Sequence, residues 1–207
     1  LQKAVDMTAS AALLSGQGNS GTVLSFFFVH LAGELKKLGG NENVTVEEFG
    51  GCLDRAGAVI ASAFPPDEVK EGTIISVVRK GTRNLGDASK YPEGSGGALR
   101  GMVELWEAQS KKALYETPDE LEVDGKFVLK DAGVEGDSGG KGVYYLVDGM
   151  HRAFEAASLN LDGVLGRDTV EMPADLEANH AAEHDVNETF RYCTECAIVL
   201  KKDKTKA

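Results

Sequence analysis

The chain carries the run Gly16-Gln17-Gly18-Asn19-Ser20-Gly21 between two apolar helical patterns. The second pattern extends from Val23 to Leu35, so the run is a loop that leads directly into a helix. The first N–H groups of a helix lack partners within it and carry partial positive charge. Because glycines let a phosphate approach those groups closely, the run predicts a helical fold with an anion-binding helix start.

Two further glycine-led loops also lead into apolar helical patterns. One is Gly136-Asp137-Ser138-Gly139-Gly140-Lys141-Gly142, and the other is Glu71-Gly72-Thr73. An Asp or Ser N-cap would by itself account for the first of them. Taken with the run at Gly16, it favours a nucleotide held between helix ends, with its phosphates on backbone N–H groups.

The other apolar patterns are helical too, which predicts an all-α fold. The first pattern places apolar side chains at Ala4, Met7, Ala11 and Leu14. Thr45 and Glu48 are spaced as a capping box, so a helix begins there. The run Thr117-Pro118-Asp119-Glu120 predicts that one helix stops and another starts, with Thr117 as the N-cap. Asp124-Gly125 predicts a turn, and residues 126–132 predict a short helix.

Composition excludes several classes of protein. The chain has 207 residues and a net charge of −11, which argues against a nucleic-acid partner because phosphate backbones bind basic surfaces. No apolar run reaches the length of a membrane span. Three cysteines do not make a disulfide framework, which favours a reducing, cytoplasmic compartment.

The pattern divides the chain into three parts. Residues 1–157 form the predicted helical domain, and residues 158–189 are acidic, weakly periodic and predicted to be a linker. At Phe190 the composition changes to a β-type apolar run. Residues 190–207 are therefore predicted to contain the first strand of a second, α/β domain.

Two familiar phosphate-binding motifs match this sequence only in part. Gly16-x-Gly18-x-x-Gly21 matches the dinucleotide fingerprint in its letters, but a helix precedes it where that fingerprint needs a strand. Gly140-Lys141 resembles the end of a Walker loop, but Gly142 stands where that loop needs Ser or Thr. Neither a Rossmann fold nor a Walker-type NTPase is predicted.

A zinc-compatible spacing occurs near the end of the chain. The pairs are His180 with His184 and Cys193 with Cys196. Such pairs can bind zinc, although their order is unusual and the histidines fall in the predicted linker. Solvent-exposed histidines and two cysteines on a strand are the alternative.

The ordered set of motifs resembles one known family. The motifs are Gly18-Asn19-Ser20-Gly21, Glu71-Gly72-Thr73-Ile74, Glu116-Thr117-Pro118, Asp131-Ala132-Gly133, Asp137-Ser138-Gly139-Gly140-Lys141-Gly142 and Arg191-Tyr192-Cys193-Thr194-Glu195. In this order they resemble the bacterial fatty-acid kinase catalytic protein, whose N-terminal domain is similar to the L subunit of dihydroxyacetone kinases. The resemblance implies a barrel of antiparallel amphipathic helices that binds ATP at one end.

The resemblance also implies the residues of the ATP site. Those at the nucleotide and its phosphates are Asn19, Ser20, Gly21, Gly72 and Thr73, and those that close the site are Asp137, Ser138 and Gly139. In that family Mg²⁺ is held on an aspartate-rich loop with the pattern Asp-Gly-Asp-Thr-Gly, which is expected upstream of Leu1. The chain is therefore expected to be truncated at its N-terminus and inactive alone, because metal supplies much of the charge neutralisation in phosphoryl transfer.

The substrate and partners are also implied by the resemblance. The acceptor would be the carboxylate of a fatty acid presented by a lipid-carrying protein, giving an acyl phosphate. Whether the protein forms a homodimer is left open. Cys193 would join a zinc site with histidines downstream of Ala207. Two alternatives stay open: a dihydroxyacetone kinase L subunit acting on a small ketose, and a non-catalytic nucleotide-binding helical module.

Overall fold

Helices make up most of the part of the chain that the structure describes. The computed structural model describes residues 1–39, 43–64, 69–92, 94 and 97–158, with side chains as far as Glu155. The helices are α1 (Gln2–Ser15), α2 (Gly18–Lys36), α3 (Val46–Val59), α4 (Ile74–Gly81), α5 (Ala98–Glu120), α6 (Val128–Asp131) and α7 (Ser138–Ser158), with 3₁₀ turns at Ile60–Ala63 and Ala88–Lys90. The all-α prediction is confirmed. The predicted linker beyond Ser158 and the strand at 190–207 lie outside the described residues.

The start of α3 forms the predicted capping box. The Thr45 hydroxyl accepts a hydrogen bond from the Glu48 N–H at 3.1 Å, and the Glu48 carboxylate accepts one from the Thr45 N–H at 2.9 Å. Two N–H groups at this helix end are thereby satisfied by neighbouring side chains. A local signal of four residues was enough to predict this helix start.

The predicted break at Thr117-Pro118 is wrong, because α5 continues through both residues to Glu120. Proline lacks the N–H that would bond to the carbonyl four residues earlier, which here is that of Leu114. The Thr117 hydroxyl donates to this carbonyl instead, at 2.7 Å. The side chain thus replaces the missing backbone bond, and the helix accommodates Pro118 in its last turn.

The segment after α5 is a small hairpin rather than the predicted helix over 126–132. Strands β1 (Glu122–Val123) and β2 (Lys126–Phe127) pair antiparallel, with Glu122 opposite Phe127. Asp124 and Gly125 have φ values of 51° and 78°, and positive φ at both central residues is typical of a tight two-residue hairpin turn. The turn prediction is confirmed, and only α6 remains of the predicted helix.

Helix α4 occupies the centre of the packing, with residues 74–78 all buried. Close contacts with small residues place it there. A Cβ on Gly57 of α3 would overlap the hydroxyl of Thr82, and a Cβ on Gly81 would overlap the hydroxyl of Ser110 on α5. Because glycine at these points lets α3 and α5 approach closely, the position of α4 and of its N-terminus is fixed by packing.

An apolar cavity of about 440 Å³ lies among α1, α2, α3, α4, α5 and α7. Its lining includes Phe27, Leu53, Val78, Trp106 and Val147. Side chains from all six helices contribute to it, and because Leu99 and Leu146 in its lining are exposed, the cavity opens from the common hydrophobic core to the surface.

The face of α1 that carries the apolar pattern is exposed. Met7 and Leu14 are 63% and 89% exposed, whereas Val5 and Ala9 contribute to the core. The helix is confirmed, but its regular apolar stripe does not face the other helices. Within the described ranges, no helix combines the length and hydropathy needed to span a membrane.

Candidate functional site

The starts of α2, α4 and α7 lie together. Ser20, in the first turn of α2, lies against Gly139 of α7 so closely that a Cβ on Gly139 would overlap the Ser20 hydroxyl. The carboxylate of Asp137, which precedes α7, hydrogen-bonds to the backbone N–H of Ile74, the first residue of α4. Three helix N-termini that are far apart in the sequence therefore converge at one place.

Asp137 caps two of these helices at once. Its carboxylate accepts the Gly140 N–H at 2.7 Å, and the N–H groups of Gly139 and Ile74 also hydrogen-bond to it. Burial raises the pKa of this carboxyl group, and the three N–H bonds offset part of that rise. The carboxylate thus connects the start of α7 to the start of α4.

Two adjacent glycines allow α7 to begin at this point. A Cβ on Gly140 would lie 2.6 Å from Cγ2 of Val77 on α4, and Gly139 lies against Ser20 on α2. The lack of a side chain at Gly140 therefore lets α4 pack against the start of α7, and the lack of one at Gly139 lets α2 do so. Side chains at these positions would separate the three helix starts.

The turn before α4 is held by a short chain of hydrogen bonds. The Ser76 hydroxyl accepts the Gly72 N–H at 2.8 Å and donates to the Glu71 carboxylate at 2.7 Å, and Arg79 pairs with Glu71 at 2.6 Å. Thr73 accepts the Ile75 N–H at 3.3 Å as the N-cap of α4. The predicted helix start at this turn is confirmed.

Gly72 is required by the conformation and packing of that turn. Its φ is 77°, and a Cβ on it would lie 2.7 Å from the Thr117 carbonyl oxygen and would overlap the Leu121 nitrogen. Only glycine tolerates both the positive φ and this close approach to α5.

The start of α2 differs from the other two because no side chain at its N-cap, Gln17, bonds to the helix. Gly18 has a φ of 66° and open space around it, and Asn19 and Ser20 are exposed. A helix start with free N–H groups, an exposed hydroxyl and no large side chain can accept an anion. At the other two starts, Thr73 and Asp137 already bond to N–H groups.

The loop before α2 is folded tightly onto it. A Cβ on Gly21 would lie 2.9 Å from the carbonyl carbon of Gly16, and one on Gly16 would lie 2.7 Å from the Ala12 oxygen. The Ser25 hydroxyl lies 2.8 Å from the Ala12 oxygen and 2.7 Å from the Gly21 oxygen. The glycines of this run therefore allow α1 to turn directly into α2.

The predicted site residues divide into two groups. Those at the convergence or at its helix starts are Asn19, Ser20, Gly21, Gly72, Thr73, Asp137, Ser138 and Gly139. The candidate zinc residues His180, His184, Cys193 and Cys196 lie outside the described residues. Among the residues that are described, no group of three or more His, Cys, Asp or Glu side chains could hold a metal ion.

Sequence reasoning missed the role of Thr117. This residue is fully buried, and its hydroxyl accepts the Asp137 N–H at 2.9 Å. Interpreted as an N-cap, it was assigned to a helix start that does not exist. A threonine directly before a proline inside an otherwise helical pattern is the signal that could have suggested it.

The described part of the chain is thus a helical module in which three helix starts converge. The DAK2 domain family, which is dihydroxyacetone kinase L-subunit-like, matches residues 1–152. Because the match covers most of the chain, the protein belongs to the DAK2 domain family. No curated protein matches the sequence closely enough to count as a relative.

Proposed function

We propose that this chain is the nucleotide-binding part of an ATP-dependent phosphotransferase, and that it holds the phosphates of ATP at the start of α2. Membership of the DAK2 family supports a phosphotransferase module of the dihydroxyacetone kinase type. The observation that carries the proposal is the contact between Ser20 and Gly139. Among these three helix starts, only that of α2 lacks a side-chain cap, and this contact brings it beside the two capped ones.

The proposed roles follow from the geometry. Asn19 and Ser20 would bind phosphate oxygens through their backbone N–H groups and the serine hydroxyl. The Gly21 N–H donates to the Gln17 oxygen at 3.2 Å, so Gly21 would contribute only the absence of a side chain beside them. Gly72 and Thr73 on one side, and Asp137, Ser138 and Gly139 on the other, would form the walls of the nucleotide site. Because the chain has a net charge of −11, local donors rather than overall charge must hold the polyphosphate.

The described carboxylates do not fit a magnesium site. The one at the convergence, Asp137, is occupied by backbone N–H groups, and no three-ligand group exists within the described part of the chain. The contribution of this chain is to bind and orient the nucleotide, and positioning is a large part of catalysis in phosphoryl transfer.

The acceptor is proposed to be the carboxylate of a fatty acid presented by a lipid-carrying protein. The run Arg191-Tyr192-Cys193-Thr194-Glu195, which continues beyond the helical domain, supports this choice. A small ketose is the second candidate, because the matching family is dihydroxyacetone kinase L-subunit-like. Binding titrations of the 207-residue chain with each acceptor, the fatty acid being bound to its lipid-carrying protein, distinguish the two.

Calorimetric titration of the 207-residue chain with ATP tests the nucleotide site. We expect saturable binding that Ser20→Ala weakens by about tenfold, because a hydrogen bond to a charged group is lost. Ser10→Ala is the matched control, since Ser10 is an exposed serine on α1 whose hydroxyl bonds only to a backbone oxygen in the described residues. If Ser20→Ala binds ATP with the affinity of the wild type, Ser20 does not contact the nucleotide. If the wild type binds no ATP, the proposal is refuted.

A further inference from the structure

The last two turns of α5 lie beneath both turns that lead into the site. A Cβ on Gly72, before α4, would lie 2.7 Å from the Thr117 oxygen. A Cβ on Gly136, before α7, would lie 2.8 Å from Cδ1 of Leu114 and 3.1 Å from its oxygen. The two turns therefore rest on carbonyl oxygens of neighbouring turns of α5, those of Thr117 and Leu114.

Thr117 connects this turn of α5 to the α7 side by a buried hydroxyl group. Its side chain is fully buried, donates to the Leu114 oxygen at 2.7 Å and accepts the Asp137 N–H at 2.9 Å. Because the proton is used on Leu114, a lone pair faces Asp137. The hydroxyl group is thus a donor and an acceptor at the same time.

Pro118 determines which groups can donate a hydrogen bond to the Leu114 oxygen. With any other residue at 118, the backbone N–H would be the normal partner of the Leu114 oxygen. Proline removes that donor, and the Thr117 hydroxyl donates to the oxygen while its lone pair faces the Asp137 N–H.

We propose that Thr117 is a positioning residue of the nucleotide site. It fixes the backbone of Asp137, whose carboxylate in turn holds the starts of α7 and α4 and so places Gly139 against Ser20. Thr117 itself does not touch the nucleotide. This inference rests on the proposed function.

The test compares two substitutions at Thr117 in the 207-residue chain. Thr117→Val keeps the shape but removes the hydroxyl, leaving the Asp137 N–H buried without its partner, whereas Thr117→Ser keeps the hydroxyl. Two quantities are measured under conditions where circular dichroism shows a folded protein: the Kd for ATP and the hydrogen-exchange rate of the Asp137 amide. We expect the valine variant to lose about tenfold in affinity and in amide protection, and the serine variant to retain both.

Two further variants keep the inference falsifiable if the valine variant does not fold. Thr117→Ala also removes the hydroxyl but fits any space that takes threonine, so we expect a folded helix with faster exchange at Asp137 and weaker ATP binding. Ser110→Ala is the control, because it removes another fully buried hydroxyl from the same helix. We expect it to leave ATP affinity and Asp137 exchange unchanged.

The outcomes separate the inference from the function on which it rests. If the wild type binds ATP and either Thr117→Val or a folded Thr117→Ala variant binds it equally well, the positioning role is overturned and the proposed function stands. If the wild type binds no ATP, the proposed function fails and the positioning role fails with it. In that case the Asp137 exchange rates still report the hydrogen bond itself.

Discussion

Ser20 on α2 and Gly139 on α7 touch so closely that a side chain on the glycine would overlap the serine hydroxyl. The contact joins two helix starts that are more than one hundred residues apart in the sequence. Because the two residues bring α2 and α7 into contact at the candidate site, substitutions at either test the arrangement directly.

Gly139→Ala is expected to lower ATP affinity and to stabilise the protein less than an ordinary glycine-to-alanine change. Gly142→Ala in the same helix has open space around its Cβ and should raise the free energy of unfolding by about 0.5–1 kcal/mol. At Gly139 the overlap with Ser20 offsets that gain. Urea denaturation of both variants provides the measurement.

The double variant Ser20→Gly with Gly139→Ala provides the control for this prediction. Removing the serine side chain makes room for the new methyl group, so the two changes should be non-additive in stability. Strict additivity would show that the two residues do not touch.

Asn19→Asp is expected to stabilise the helix while weakening nucleotide binding. A carboxylate in the first turn of α2 interacts favourably with the helix dipole, by about 0.3–1 kcal/mol, and repels phosphate. Thermal unfolding and ATP titration should therefore change in opposite directions. Asn84→Asp adds the same charge in an exposed turn beyond the other end of α4 and should leave affinity unchanged. Parallel loss of stability and affinity would contradict the prediction.

Glu34→Gln is expected to destabilise the protein at neutral pH. Glu34 on α2 pairs with Lys37 and, at 2.6 Å, with Arg55 on α3. The hydrogen bonds from Lys37 and Arg55 lower the pKa of this carboxyl group below its ordinary value of 4.5. We expect a loss of about 0.5–1 kcal/mol at pH 7.

The pH dependence of that difference has a defined sign. The pKa of Glu34 is lower in the folded than in the unfolded state, so its contribution is complete above pH 4.5 and declines as the pH falls through the folded-state pKa. The stabilities of wild type and Glu34→Gln should therefore converge in acid. Glu135→Gln, at an exposed loop position, is the matched control. A difference that grows on acidification would contradict the assignment.

The 207-residue chain is expected to show little magnesium-dependent phosphoryl transfer. Over the described ranges no carboxylate cluster is available for the metal, and the resemblance assigns that cluster to an aspartate-rich loop. Transfer from labelled ATP to a fatty acid or a small ketose, measured with and without Mg²⁺, checks this. Sustained turnover above background would show that the metal is held in another way.

Local signals were sufficient to predict most helix starts. Thr45 with Glu48 needs only four residues, and the Glu71-Gly72-Thr73 turn caps its own helix. These contacts depend on neighbours in the sequence, which pattern reasoning includes. The same locality made the Thr117-Pro118 prediction fail, because the partner of the Thr117 hydroxyl is Asp137, twenty residues further on.

The candidate site could be predicted as a set of residues but not as an arrangement. Nothing in the sequence spacing says that Asp137 bonds to the first N–H of α4 as well as to its own helix. The apolar stripe of α1 shows the same limit, since the spacing of Met7 and Leu14 predicts the helix but not which side is buried. Both facts depend on how separate helices pack.

The apolar cavity among the six helices has a consequence for compressibility. Its lining is almost entirely hydrocarbon and aromatic, which water solvates poorly, so any part of it that water leaves empty adds to the volume of the folded state. Unfolding releases that surplus, and hydrostatic pressure favours the state of smaller volume. The protein should therefore denature at lower pressure than a helical protein of equal thermal stability whose interior is filled.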